Sequence, residues 1–458
     1  MDIRKKTLKR NNGFEIKLVL ISVILGSIFF FVPMIRDDQP NLQFVGNNMV
    51  EAWRWSVYSY NRWSSRIFIY FIGAVVLQKG ALALGLYMIV SYYVFLKALV
   101  LLFPKTSTET IFPFILASLL LFPYDTQFTA GWIATLTSYL GPHAFALMGL
   151  VPIKKVLSGQ KSGVLENLFY AICLIYGANV EQMCVVLVAA YLVANAYLLW
   201  RRKGSAVLIV MLLVSIASLV NIFVCPGNHT RSVAEELNWF PTYQMMDLVD
   251  KADVGISTTL KWFYVDNVFT MFFCLILALL MWSKYKEKLF RIIALFVAVV
   301  SIALGPLRIL ISSLFPYAGN LASEVNYYGA FNVMEQGCGP GMYQFGILLC
   351  LTGLICVEIV LLNDSIKGLL ADLTLFLAGF ASRAMMGFSP TIYASGSRTF
   401  TSLMICFIVI GIHLYSDNSH YLDDNNALLK CDNLSYVFWV VSMIGFINLF
   451  YMIITVAT

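Results

Sequence analysis

The run from Ser205 to Val224 carries no charged side chain, and about twenty such residues are what an α-helix needs to cross the hydrocarbon core of a bilayer. Similar runs recur near 81–103, 110–123, 142–157, 164–178, 181–200, 263–283, 290–311, 341–362, 367–381, 398–415 and 434–456, after a first from Phe14 to Ile35. Inside lipid the backbone has no water to bond, so a spanning segment of this kind is helical. The chain therefore reads as an all-α integral membrane protein, a polytopic helical bundle of about thirteen spans. Composition agrees: 458 residues that are 60% hydrophobic and 12% charged lack the polar surface to coat soluble domains of this size. The first run is too long for the apolar core of a signal peptide and has no small-residue cleavage site, so it is read as a retained helix.

Basic residues set the orientation. Arg4, Lys5, Lys6, Lys9 and Arg10 keep the N-terminal arm in the cytoplasm under the positive-inside rule. Lys154, Lys155 and Lys161, then Arg201, Arg202 and Lys203, then the 284–288 run all fall inside as well, provided that residues 66–79 do not cross. That stretch is too short to span, and Met49, Trp53, Val57 and Tyr60 before it recur at helical spacing. The first outer loop, 36–80, is accordingly expected to hold two interfacial helices. Further outer loops are expected at 124–141, 178–181, 225–262, 316–340 and 382–397. The net charge of +6 sits mostly in short loops, so it reports orientation and offers no nucleic-acid surface. Nine cysteines lie largely in apolar runs, as small hydrophobes do.

The unusual polar residues gather at the outer face of that topology. Asp37 and Asp38 stand at the mouth of the first span, where a charge at membrane depth costs roughly 2.5–3.5 kcal/mol and so faces water, a cation or a substrate. Arg62 and Arg66, four apart, share a face if the chain is helical there, and two arginines make a bidentate clamp for a phosphate; each could equally snorkel to lipid headgroups. Trp132 and Tyr139 could stack on a sugar ring or anchor the interface. His143 follows Gly141-Pro142, where a helix-cap role is the plainer reading. Glu181 lies at the tip of a tight helical hairpin, Asn228 and Arg231 follow a Pro226-Gly227 turn, and Arg398 follows Ser397. Zinc-ligand spacing, a Walker A loop, a GxSxG elbow and a GxGxxG turn are all missing, which removes support for nucleotide hydrolysis and serine-hydrolase chemistry.

The order Asp37-Asp38, Asn61-Arg62 to Arg66, Trp132 to Tyr139, Glu181-Gln182, Pro226-Gly227-Asn228 to Arg231 and Ser397-Arg398 resembles the polytopic GT-C glycosyltransferases, in a bacterial branch near the serotype-type glucosyltransferases. The resemblance implies a catalytic module over residues 1–235, with seven spans and interfacial helices, and a variable transmembrane module over 236–458. It implies a sugar donor on a polyprenyl phosphate and an envelope glycan or lipid acceptor, joined at the outer face of the cytoplasmic membrane. Asp37 or Asp38 would be the base. Arg62, Arg66, Arg231 or Arg398 would bind the donor phosphate, and Trp132, Tyr139, His143, Glu181 and Asn228 the rest of the substrate. Some relatives use a divalent cation, Mg or Mn, which paired aspartates permit. The chain departs from the family in having Arg62-Trp63-Ser64-Ser65-Arg66 where a tighter Asn-Gly-Arg is expected, leaving open which arginine is equivalent. Competing readings are a polymerase or ligase acting on polyprenyl-diphosphate glycans, a lipid-linked-sugar flippase or transporter, and an acyltransferase centred on His143.

Overall fold

A computed structural model describes residues 2–104, 111–265, 267–316, 329–331, 341–425 and 430–457. Most of the expected outer loop 316–340 thus lies outside the described residues. Every regular element among the described residues is helical. Helices begin where the sequence offers caps: the Asn48 side chain accepts from the N–H groups of Val50 and Glu51, and Ser205 accepts from Leu208. Gly80, with φ +68°, separates two helices that would otherwise run together.

Two compact units emerge. The first comprises Met1–Thr108, Tyr124–Arg231 and Ile444–Thr458, and the second Glu109–Pro123 and Ser232–Met443. The first half of the chain forms α1 (Asp2–Ser27), α2 (Asp38–Leu42), α3 (Met49–Arg62), α4 (Ile67–Lys79), α5 (Ala81–Leu102), α6 (Phe112–Leu120), α7 (Trp132–Ser138), α8 (Leu140–Leu157), α9 (Val164–Gly177), α10 (Glu181–Trp200), α11 (Ala206–Val224) and α12 (Pro226–Trp239). Nine helices of the described residues are long and apolar enough to cross a membrane, or up to eleven if each of two bent pairs is one span. Among the described residues the runs expected at 110–123 and 164–178 give helices of only 9 and 14 residues, which this count of nine to eleven does not include. The two helices expected within 36–80 are α3 and α4, with the single turn of α2 before them.

In the first unit, small residues let antiparallel helices close up. A Cβ on Gly26 of α1 would lie 2.4 Å from the Ile89 backbone of α5, and one on Gly177 of α9 would lie 2.5 Å from the Ala146 Cβ of α8. The Tyr191 hydroxyl of α10 donates to the Gly149 carbonyl of α8, and Asn195 Nδ2 donates to the Leu208 carbonyl of α11 at 3.1 Å. Ion pairs Glu15–Lys97 and Lys155–Glu166 tie α1 to α5 and α8 to α9. This alternation divides the unit into two ends. Lys154, Lys155, Lys161 and Arg201–Lys203 sit at one, and the turns before α8, between α9 and α10, and after α11 sit at the other.

The second unit is built on the helix pair Val268–Lys284 and Lys288–Leu304, with Gly341–Leu362, Ile366–Ala384 and Thr401–Asn425 beside it. Arg383 is buried between the ring faces of Trp262 at 5.3 Å and Phe400 at 4.4 Å. Asp253 accepts from the N–H groups of Ala330 (3.1 Å) and Phe331 (2.9 Å).

Candidate functional site

Ser64 and Ser65 are buried between α3 and α4, and that break decides where two arginines go. The Ser65 N–H donates to Asn228 Oδ1 at 3.2 Å, while Asn228 Nδ2 donates to the Ile222 carbonyl at 2.9 Å. Asn228 therefore bolts the start of α4 to the end of α11. Gly227 makes the approach possible, because a Cβ there would lie 2.4 Å from the Trp63 backbone nitrogen. Asn179, in the turn before α10, accepts from the Phe68 N–H at 2.9 Å.

These ties turn Arg66 inward. Its Nε donates to Glu181 Oε2 at 2.8 Å and its Nη2 lies 2.6 Å from the same oxygen; Ser65 Oγ donates to Oε1 at 3.1 Å. Side-on pairing leaves Nη1 with no hydrogen bond among the described residues, and Arg66 remains 16% exposed, so one edge of the cation stays within reach of a ligand. The guanidinium sits over the Tyr139 ring at 5.2 Å. His143, one turn further along α8, is buried with its Nδ1 2.5 Å from the Tyr139 carbonyl.

Arg231 completes the cluster. Its guanidinium covers the Trp63 ring at 5.4 Å, its buried Nε has no partner, and no carboxylate among the described residues pairs with it. It acts electrostatically on Glu181 and Tyr70, as Arg66 does. Burial raises the Tyr70 hydroxyl above its ordinary value, and the two arginines pull it back. A tyrosine such as Tyr70, in the apolar run from Ile67 to Ile72, gives no signal in the sequence until its neighbours are known.

Asp38 has a different task. It is buried, and its carboxylate accepts from the N–H groups of Ile133 (3.2 Å) and Ala134 (2.9 Å) at the start of α7. Burial pushes its pKa up to about 6, against the pull of those two bonds. Gly131, with φ +109°, has no Cβ to strike that carboxylate, which lies 2.6 Å from where one would be. Arg36 braces the same loop, its Nη1 donating to the Thr129 carbonyl at 2.5 Å. Asp37 is exposed, and its side chain makes no cap hydrogen bond to α2. The short helix α7 carries the Asp38 carboxylate on the N–H groups of its first turn and is followed at once by Tyr139, whose ring lies under Arg66.

The structure thus brings Arg66, Tyr139, His143, Glu181, Asn228 and Arg231 together, while within the same unit Asp37, Asp38, Arg62 and Trp132 take other positions. Arg62 and Arg66 do not share a helical face: Arg62 ends α3 in solvent, because the chain turns at Ser64-Ser65 before α4 begins. Trp132 is no sugar platform, being fully buried against Phe128 (5.0 Å) and Phe29 (6.0 Å). Arg398 belongs to the second unit, in a short 3₁₀ turn. Among the described residues no three His, Cys, Asp or Glu side chains converge as metal ligands.

Neither a family model, a curated protein nor a solved structure gives a significant match to this chain.

Proposed function

We propose that the chain is a membrane glycosyltransferase of the GT-C type, moving a sugar from a polyprenyl-phosphate donor to an envelope glycan or lipid at the outer face of the cytoplasmic membrane. The observation that carries this reading is the cluster of two arginines around one carboxylate, with Arg231 unneutralised and Arg66 keeping a free edge. An uncompensated cation at the mouth of apolar helices suits the phosphate of a lipid whose tail lies among them. Tyr139 and Trp63 cover the two guanidinium groups, so the cations are aimed rather than solvated.

In this mechanism Asp37 is the base, because it is the member of the pair whose carboxylate is not committed to backbone donors. The acceptor oxygen bonds to the anomeric carbon as its proton passes to Asp37. The bond from that carbon to the phosphate oxygen breaks, and its electron pair stays on the phosphate. Arg66 and Arg231 stabilise the charge that grows there. Asp38 holds the loop that carries Asp37, its carboxylate accepting from Ile133 and Ala134 at the start of α7.

Purified protein in nanodiscs, given a radiolabelled sugar on polyprenyl phosphate, on polyprenyl diphosphate or on a nucleotide, tests the donor class. Release of polyprenyl phosphate from the first donor alone supports the reading. Turnover of the diphosphate-linked glycan alone would instead favour a polymerase or ligase.

A further inference from the structure

The carboxylate of Glu181 has a role that the residue's place among the substrate-binding candidates did not suggest. It is held from three sides: by Arg66 Nε and Nη2, by Ser65 Oγ and by its position at the start of α10, where the helix dipole favours negative charge. An anion so firmly paired is poorly placed to accept a proton or to follow a sugar hydroxyl. Its fixed quantity is its charge. Arg66 and Arg231 contribute two positive charges and Glu181 one negative, which leaves one in excess at the phosphate position.

We infer that Glu181 is a specificity-determining residue, a built-in counter-anion that matches the site to a singly charged phosphodiester and disfavours a doubly charged phosphate. The inference rests on the donor reading above and extends it to product release. A polyprenyl-phosphate sugar is a phosphodiester with one negative charge. Breaking its glycosidic bond yields a phosphate monoester, which carries nearly two at pH 7 because its second pKa is about 6. A site with two unopposed arginines would grip that product more tightly than the donor and stall. With Glu181 present, the second charge has no cation to meet, and the product leaves as the charge develops. The same count disfavours diphosphate-linked lipids, so donor choice and product release come from one residue.

The test measures binding of undecaprenyl phosphate and of its monomethyl ester, which carries a single charge, to the full chain in phosphatidylcholine nanodiscs at pH 7.5. Glu181→Gln keeps the size and removes the charge: its one oxygen can accept from Arg66, and Ser65 Oγ, which can accept as well as donate, can turn to the amide NH₂. It should bind the monoester at least about tenfold more tightly and the methyl ester by a smaller factor, about threefold, since the Coulomb effect scales with ligand charge. Arg231→Gln lowers the net charge instead, and should move both affinities the opposite way, with the monoester again the more affected. Weakened binding of both lipids to Glu181→Gln would overturn the inference, for Glu181 would then serve only to hold Arg66 in place. An unchanged ratio of the two affinities overturns it as well, leaving the donor reading intact. If the unsubstituted chain binds neither lipid, both readings fall together.

Discussion

Asp37 and Asp38 are neighbours in sequence with opposite circumstances, one in solvent and one buried under the first turn of α7. The sequence marked the pair but could not divide it, because what separates them is a loop 95 residues further on. Trp132 shows the same limit: an aromatic at a loop edge reads as a sugar platform or an interface anchor until Phe29 and Phe128 close over it. Asp38→Asn should lower stability, since one amide oxygen cannot serve two N–H donors and its NH₂ would face one of them, at a cost of about 1–3 kcal/mol. The loss should depend on pH. Asp38 in the folded chain has a pKa of about 6, above the usual value near 3.9. The folded state therefore binds the extra proton between roughly pH 4 and 6, and stability falls as pH rises through that window. Asn does not titrate, so the gap in melting temperature between the native chain and Asp38→Asn should be wider at pH 5 than at pH 7.5, read by differential scanning fluorimetry. An equal gap at both values would mean that Asp38 does not titrate there.

At the scale of elements, hydropathy located the helices closely. The run expected at 181–200 is α10 to the residue, and those expected at 164–178 and 205–224 are α9 and α11 within a residue. What periodicity could not supply was the joint between α3 and α4. Arg62 and Arg66 stand four apart, which reads as one helical face, but the Asn228 bond to Ser65 comes from a distant turn and stops the helix between them. The Pro226-Gly227 pair reads as a turn in the sequence, whereas Pro226, Gly227 and Asn228 open α12 after a break at Cys225, and the function of Asn228 as a bolt on that joint was not legible. Gly227→Ala makes the point testable. The added Cβ would lie within 2.4 Å of the Trp63 backbone nitrogen and 2.5 Å of the Tyr60 carbonyl, neither of which can swing aside. We expect a loss of about 1–3 kcal/mol for such overpacking, and retention of stability on Gly227→Ala would mean that the turn does not press on α3.

Across the whole molecule, the antiparallel alternation of α8 to α11 puts the arginine cluster at one end of the first unit and Lys154, Lys161 and Arg202 at the other. Charge in short loops foretold this division, since basic residues collect where they need not be translocated. With the basic end in the cytoplasm, a membrane-impermeant thiol reagent on intact cells should label a cysteine placed at exposed Arg62 and spare one at exposed Arg202; labelling at 202 alone would invert the orientation. The count of spans was less legible, because an apolar run such as 164–178 gives a helix of only 14 residues, shorter than the roughly twenty needed to cross. The central claim is that Asp37 removes a proton from an acceptor while two arginines hold a departing lipid phosphate. Its most direct test is the rate of sugar transfer from a polyprenyl-phosphate donor by the reconstituted chain, beside Asp37→Asn, with donor affinity measured on both. The account predicts that transfer falls by at least about 10²-fold while the donor binds nearly as well; full transfer by Asp37→Asn would contradict it.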